Sequence, residues 1–112
     1  MDAQKREIPA DLARAGEARH FIAWRGAVAG LGGARLNDLA VAAEAVLTDI
    51  FLSAEGGVLE IESGRKGDAF EVRVTHPELK VRRMSDLAGI LERFLDDYEI
   101  SPTRAVLVKR LD

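Results

Sequence analysis

The chain has no cysteine. Disulfides and thiolate metal sites are excluded, and with them the stapled secreted scaffolds. The absence fits a reducing cytoplasm, which is the expected location. Histidine is scarce as well, with only His20 and His76. A zinc site would need both together with carboxylates, and neither belongs to a Ser/His/Asp constellation, so no metal is expected. Long apolar runs are missing. The N-terminal MDAQKREIPADLARAGEARH has none, so no signal peptide is expected, and no segment approaches the length that spans a bilayer. Neither sign of charge dominates: 16 basic and 19 acidic residues leave a formal charge of −3. Both signs are spread along the chain, so a nucleic-acid footprint is absent from the bulk composition. The one basic run is Lys80, Arg82 and Arg83. It reads either as a solvated loop or as a docking point for an acidic partner.

At 112 residues the chain is expected to form a single domain over residues 1–112. A domain of this size buries roughly two-thirds of its unfolded surface, enough for one core without staples.

The longest amphipathic stretch is 36–54. Leu36, Leu39, Ala40, Ala43, Leu47, Ile50 and Phe51 recur at helical spacing along one face. Asn37 is its expected N-cap, with Leu36 and Val41 as the staple around it. Before it, residues 4–9 suit a short edge strand with Ile8 as its buried residue and Pro9 at its end. Asp11 can cap a helix running to Gly30, with Phe21, Trp24, Val28 and Leu31 on one face and Trp24 in the core. After it, 58–62 and 69–75 alternate apolar and polar residues, as strands covered on one side do, with 63–68 as their loop. Ser85 can cap a third helix whose core face is Leu87, Ile90, Leu91, Phe94, Leu95 and Tyr98. Residues 100–103 form a turn, and 104–111 a central strand. The order is β-α-α-β-β-α-β. It implies an α+β, two-layer sandwich: a mixed, mostly antiparallel sheet with three helices on one face. The polar outer face of the sheet can meet water or be covered in a dimer.

Glu44 and Thr48 are the polar pair that looks placed, stacked one turn apart at the margin of the 36–54 stripe. Such a carboxylate either reaches water, pairs with an arginine or belongs to a site. The glycines of LGGARLN follow a helix, and SGRKGD is a hairpin tip. Neither matches a phosphate-binding pattern in its proper context. His20 is the sole helical candidate for a phosphotransfer role.

EAVLT at 44–48, inside a long second helix and within this element order, resembles the anti-sigma factor serine kinases of the histidine-kinase-like ATPase family. The likeness runs from about Ile8 to Leu111 and includes an IPA-type strand followed by a helix with Arg19 and Trp24. It implies the histidine-kinase-like ATPase fold. In that family the N-box is Glu-x-x-x-Asn; Glu44 matches the Glu, and Thr48 stands where the magnesium-binding Asn belongs. Asp49 lies about 100° round the helix from there. The adenine box, Asp-x-Gly-x-Gly, falls on THPEL at 75–79. The glycine lid falls on RRMSDLAG at 82–89, and the Gly-Thr box on Pro102-Thr103. Only Thr103 survives of the last. Three of the four boxes are broken, and nucleotide binding leaves costly unpaired polar groups without them. The resemblance therefore implies a regulatory, partner-switching protein-binding module without ATP binding. Glu44, Thr48 and Thr103 would be vestiges, Lys80, Arg82 and Arg83 partner contacts, and no cofactor would be required. Its partner would be a sigma factor or an STAS-type antagonist, and a homodimer is open on the same likeness. The alternative is an active serine kinase using ATP and magnesium, with Glu44 as base and Thr48 or Asp49 helping the metal. Neither nucleic acid nor membrane enters either reading.

Overall fold

The computed structural model describes residues 4–53, 56–77, 79 and 84–111, without the side chains of 84–86. In chain order the elements are β1 (Gln4–Pro9), a 3-10 turn (Leu12–Arg14), α1 (Ala15–Ala29) and α2 (Gly33–Ser53). There follow β2 (Val58–Lys66), β3 (Ala69–Thr75), α3 (Met84–Phe94), β4 (Asp97–Ile100) and β5 (Arg104–Arg110). The strands form one sheet in the order β1-β2-β3-β5-β4.

The sheet is a sequence pattern made solid. Alternate residues point to one face, and on that face Ile8, Leu59, Ile61, Phe70, Val72, Val74, Ala105 and Leu107 are all buried. The helices cover this face and supply Ala18, Phe21, Ile22, Leu39, Ala42, Ala43, Val46, Leu47, Ile50, Phe51, Leu87 and Leu91 to the same core. The result is a two-layer α+β sandwich with three α-helices among the described residues. Its opposite face carries Lys5, Glu60, Glu62, Glu71 and Arg73, linked by the ion pairs Lys5–Glu60 at 3.7 Å, Arg73–Glu71 at 3.0 Å and Arg73–Glu62. The first strand is an edge and the last is interior, with β5 lying between β3 and β4.

Several expectations need correction. The sheet is not mixed: β1–β2, β2–β3, β3–β5 and β4–β5 are all antiparallel. Helix α2 begins at Gly33, so Asn37 lies inside the helix rather than at its cap. Asp11 caps the 3-10 turn, accepting the Ala13 N–H at 3.1 Å, and α1 starts only afterwards. The strand pairing β2–β3 runs to Lys66–Ala69, leaving Gly67 and Asp68 as a two-residue turn. Gly67 has a left-handed φ of 63°, which suits the first position of such a hairpin.

Helix α3 stops at Phe94, and Tyr98 lies on β4 instead. Two aspartates are disfavoured at a helix C-terminus, and here they are used to anchor a strand. The Asp96 N–H donates to the Val108 carbonyl at 3.1 Å. The Asp96 carboxylate accepts the Arg110 N–H at 2.8 Å. Asp97 accepts the Tyr98 N–H at 2.9 Å.

Trp24 is not in the core; it is 50% exposed, and Val28 59%. The residue of α1 that abuts α2 is Gly26, where an added Cβ would meet Leu39 at 3.1 Å, Leu36 at 3.2 Å and Leu31 at 3.3 Å. At 100° per residue, Trp24 and Val28 each stand about 160° from Gly26. They face away from α2, on the flank toward the β1 edge.

One tie between the layers is polar. Lys109, buried on the core face of β5, donates to the Phe94 carbonyl at 2.9 Å and to Asp38 of α2 at 3.3 Å. Asp96 lies 3.9 Å away. A buried ammonium is tolerated only with such compensation. One side chain thereby joins the start of α2, the end of α3 and β5.

Candidate functional site

Glu44 is on α2 and points outward, with its side chain 57% exposed. It receives a hydrogen bond from Arg19 Nη1 of α1 at 3.0 Å. The helix-margin carboxylate is thus half of a surface ion pair that bridges α1 and α2. Thr48, one turn on, is exposed. His20 is exposed on α1. Lys80, Arg82 and Arg83 lie outside the described residues. Among the described residues no group of three or more His, Cys, Asp or Glu could hold a metal ion. Likewise, no helix is long and apolar enough to cross a membrane.

His76 and Thr103 are brought together. The His76 N–H donates to the Thr103 carbonyl at 3.0 Å, closing the end of β3 onto the start of β5. His76 is only 4% exposed, and its Nε2 lies 2.9 Å from the Gly56 carbonyl. A carbonyl only accepts, so Nε2 carries the proton in this bond. Gly57 sits directly against the ring. Its φ is +80°, and a Cβ there would stand 2.9 Å from Nε2. Its own carbonyl accepts the Ala10 N–H at 2.9 Å. Leu79 is 6% exposed and belongs to the core cluster. The ends of β1 and β3 and the starts of β2 and β5 therefore meet around a buried imidazole.

A second constellation lies on the β1 side of α1. Arg6 of β1 reaches Glu17 at 3.3 Å and places its guanidinium 5.8 Å from the Phe21 ring centroid. Arg14 donates two hydrogen bonds to the same carboxylate, at 2.9 and 2.6 Å. The bond from Arg14 holds the Glu17 carboxyl below its ordinary pKa, helped by the charges of Arg14 and Arg6 against the opposing effect of burial. Phe21 and Trp24 follow, ring centroids 6.5 Å apart. Arg25 lies 5.7 Å over Trp24 and points its Nε to Ser63 Oγ on β2 at 3.4 Å.

On the open face of the sheet, Gly64, Arg65, Lys66, Glu71 and Arg73 line a shallow concavity. Arg73 there is already engaged by Glu62 and Glu71.

Reading the sequence singled out Glu44, Thr48 and Thr103, and the structure does not gather them into one hydrogen-bonded set. It missed His76 as a buried anchor and Arg19 as the partner of Glu44. The one signal for His76 was its place between an apolar strand and Pro77, beside a double glycine that is distant in sequence. No family model matches the chain, and no curated protein matches it either.

Proposed function

We propose that the chain is a protein-binding module of the histidine-kinase-like ATPase fold that works without nucleotide, in the manner of a regulatory anti-sigma factor. The observation that carries this reading is the burial of His76 and Leu79. In the family's pattern, whose adenine box would fall on 75–79, an Asp and two glycines make room for an adenine. Here Leu79, at the second glycine position, is packed into the core, and the adjoining His76 ring is pinned to the Gly56 carbonyl. Thr75 occupies the Asp position and offers no carboxylate for an adenine amino group. The vestigial Glu44 is engaged by Arg19 rather than held for an attacking hydroxyl. An adenine entering this place would displace packed apolar atoms and leave its polar edge unpaired.

The partner class, a sigma factor or an STAS-type antagonist, follows from the resemblance of fold and is tested separately by co-purification. Recovery of neither counts against it. The nucleotide question is tested by thermal shift with magnesium and ATP. A ligand at a thousand times its dissociation constant adds about 4 kcal/mol to stability. The expected shift is none. Micromolar ATP binding would overturn the reading in favour of the kinase alternative, and phosphoryl transfer to a partner lost in Glu44→Ala would identify Glu44 as its base.

A further inference from the structure

We propose that the outer edge of β4 takes up an extended segment of a protein partner as an added antiparallel strand, and that the segment it selects alternates basic with apolar residues. Strand β4 pairs with β5 on one side and ends the sheet. Such an edge is a template for another strand, and natural edges are commonly blocked by lysine, proline or a covering element. Residues 97–100, DYEI, carry neither lysine nor proline. The direction of each backbone group follows from the hairpin. The Ser101 N–H donates to the Arg104 carbonyl at 2.8 Å, so it faces β5. Backbone groups alternate sides along an antiparallel strand. Asp97 and Glu99 therefore also turn theirs toward β5, and Tyr98 and Ile100 turn theirs outward. The Tyr98 N–H agrees with this, because its acceptor is the Asp97 carboxylate at 2.9 Å.

The side chains set the partner's chemistry. Register places Tyr98 and Ile100 opposite Leu107 and Ala105 on the core face, and Asp97 and Glu99 opposite Val108 and Val106 on the open face. Tyr98 and Ile100 are half-buried and packed against the core, while Asp97 and Glu99 are exposed. An incoming antiparallel strand sets alternate side chains beside each of these rows. Its residues on the open face meet two carboxylates and are basic. Those on the core face meet Tyr98 and Ile100 and are apolar. Glu99 has Arg104 at 3.9 Å, with both groups exposed, a pairing that contributes little. Glu92 adds a third carboxylate and accepts the Tyr98 hydroxyl at 3.3 Å. The Asp97 carboxylate sorts the partners. A carbonyl that takes the Tyr98 N–H releases this carboxylate onto the incoming strand's own basic side chain, whereas an acidic segment is repelled. A second β4 is not the occupant, because its carboxylates would face their like. The proposal goes beyond the nucleotide question and holds under either answer to it.

The experiment uses the full chain and a labelled hexapeptide that alternates lysine and valine. Fluorescence anisotropy of the peptide is followed as the chain is raised from about 1 μM to about 1 mM, the range suited to a short added strand. The expected result is saturable binding that weakens as salt is raised, with no binding of the same peptide carrying glutamate for lysine. Asp97→Lys/Glu99→Lys weakens binding about tenfold or more, because two attractive cross-strand pairs become repulsive. Circular dichroism checks that the variant folds. The backbone contact is tested on the peptide, with the chain unchanged. In the antiparallel arrangement the residues opposite Tyr98 and Ile100 are the valines, and their amides face β4. N-methylation of the valines therefore abolishes binding, and N-methylation of the lysines leaves it. No saturable binding in this range overturns the proposal. So does equal binding of the glutamate peptide, indifference to the double charge reversal, or binding that survives methylation of the valines.

Discussion

Gly57→Ala puts the junction of four strand ends under a measurable load. The residue has a φ of +80°, and a side chain in the left-handed region costs roughly 1–2 kcal/mol. The added Cβ would also stand 2.9 Å from His76 Nε2, closer than a carbon and a nitrogen tolerate without displacement. The ring has little room to retreat, since His76 is 4% exposed and its Nε2 is bonded to the Gly56 carbonyl at 2.9 Å. Moving it weakens that bond, worth about 0.5–1.5 kcal/mol. The expected loss is about 2–3 kcal/mol. For a small domain with a urea dependence of about 1–3 kcal/mol/M, the unfolding midpoint falls by roughly 1–2 M. The decisive control is a cycle with His76→Ala. Without the imidazole, Gly57→Ala retains only the backbone strain, so the two changes couple by about 1 kcal/mol. A cost below about 0.5 kcal/mol in the native background would refute the reasoning. So would the same cost in both backgrounds, because the ring would then not be what the Cβ meets.

Lys109→Met is expected to cost about 1–3 kcal/mol in urea unfolding, because the Phe94 carbonyl loses its donor and Asp38 and Asp96 are left facing each other. Glu44→Ala is expected to change stability by no more than about 0.2–1 kcal/mol, since its pair with Arg19 is exposed on both sides; a larger loss in thermal unfolding would mean that Glu44 does more than bridge two helices. Glu17 has a folded pKa below its unfolded one, so its contribution is present above the unfolded value and is lost as pH falls through the folded value. The stability difference between the native chain and Glu17→Gln, measured by urea unfolding across acid pH, is therefore expected to be largest at neutral pH and to vanish in acid. A difference that grows as pH falls would contradict the ion pairs seen around it.

The strands of the sandwich were legible because a one-sided sheet imposes a period of two, and Phe70, Val72 and Val74 show it plainly. Helix α2 was legible by the same logic at its own period. Strand β4 was not. Leu91, Leu95 and Tyr98 continue a helical spacing, so the pattern alone runs on through Asp96 and Asp97. What stops the helix is the Asp96 bonding to β5, a contact with residues that follow later in the chain. Trp24 was misplaced for a related reason. Its spacing from Phe21 and Val28 traces a stripe, yet the residue shown against α2 is Gly26, whose missing side chain lets two helices approach closely. A large aromatic draws attention to its own face, while a glycine whose added Cβ would meet a leucine at 3.1 Å leaves no mark in hydropathy. At the candidate site, the marginal position of Glu44 was readable from one helix. The arginine that holds it and the glycine carbonyl that holds His76 were not, because both contacts join residues at least 20 apart in sequence.

The burial of His76 and Leu79 bears on how reversible the proposed loss of nucleotide binding is. Were the place merely short of an Asp and two glycines, restoring them would reopen it at little cost. Leu79 instead contributes to the single core, and emptying such a position by Leu→Ala costs about 2–5 kcal/mol, with glycine costing more through its added backbone freedom. His76 holds the Gly56–Gly57 turn by a buried hydrogen bond, so returning it to an open loop also unties the entry to β2. Against a total stability of about 5–15 kcal/mol for a domain, those two changes together consume a large share. One of the residues that close the place, His76, is thus also one that holds the ends of the strands. Under the proposed reading the fold is committed to its closed form, and regulation must act through its surfaces: the outward face of α2 that bears Glu44, and the β4 edge that bears Asp97 and Glu99.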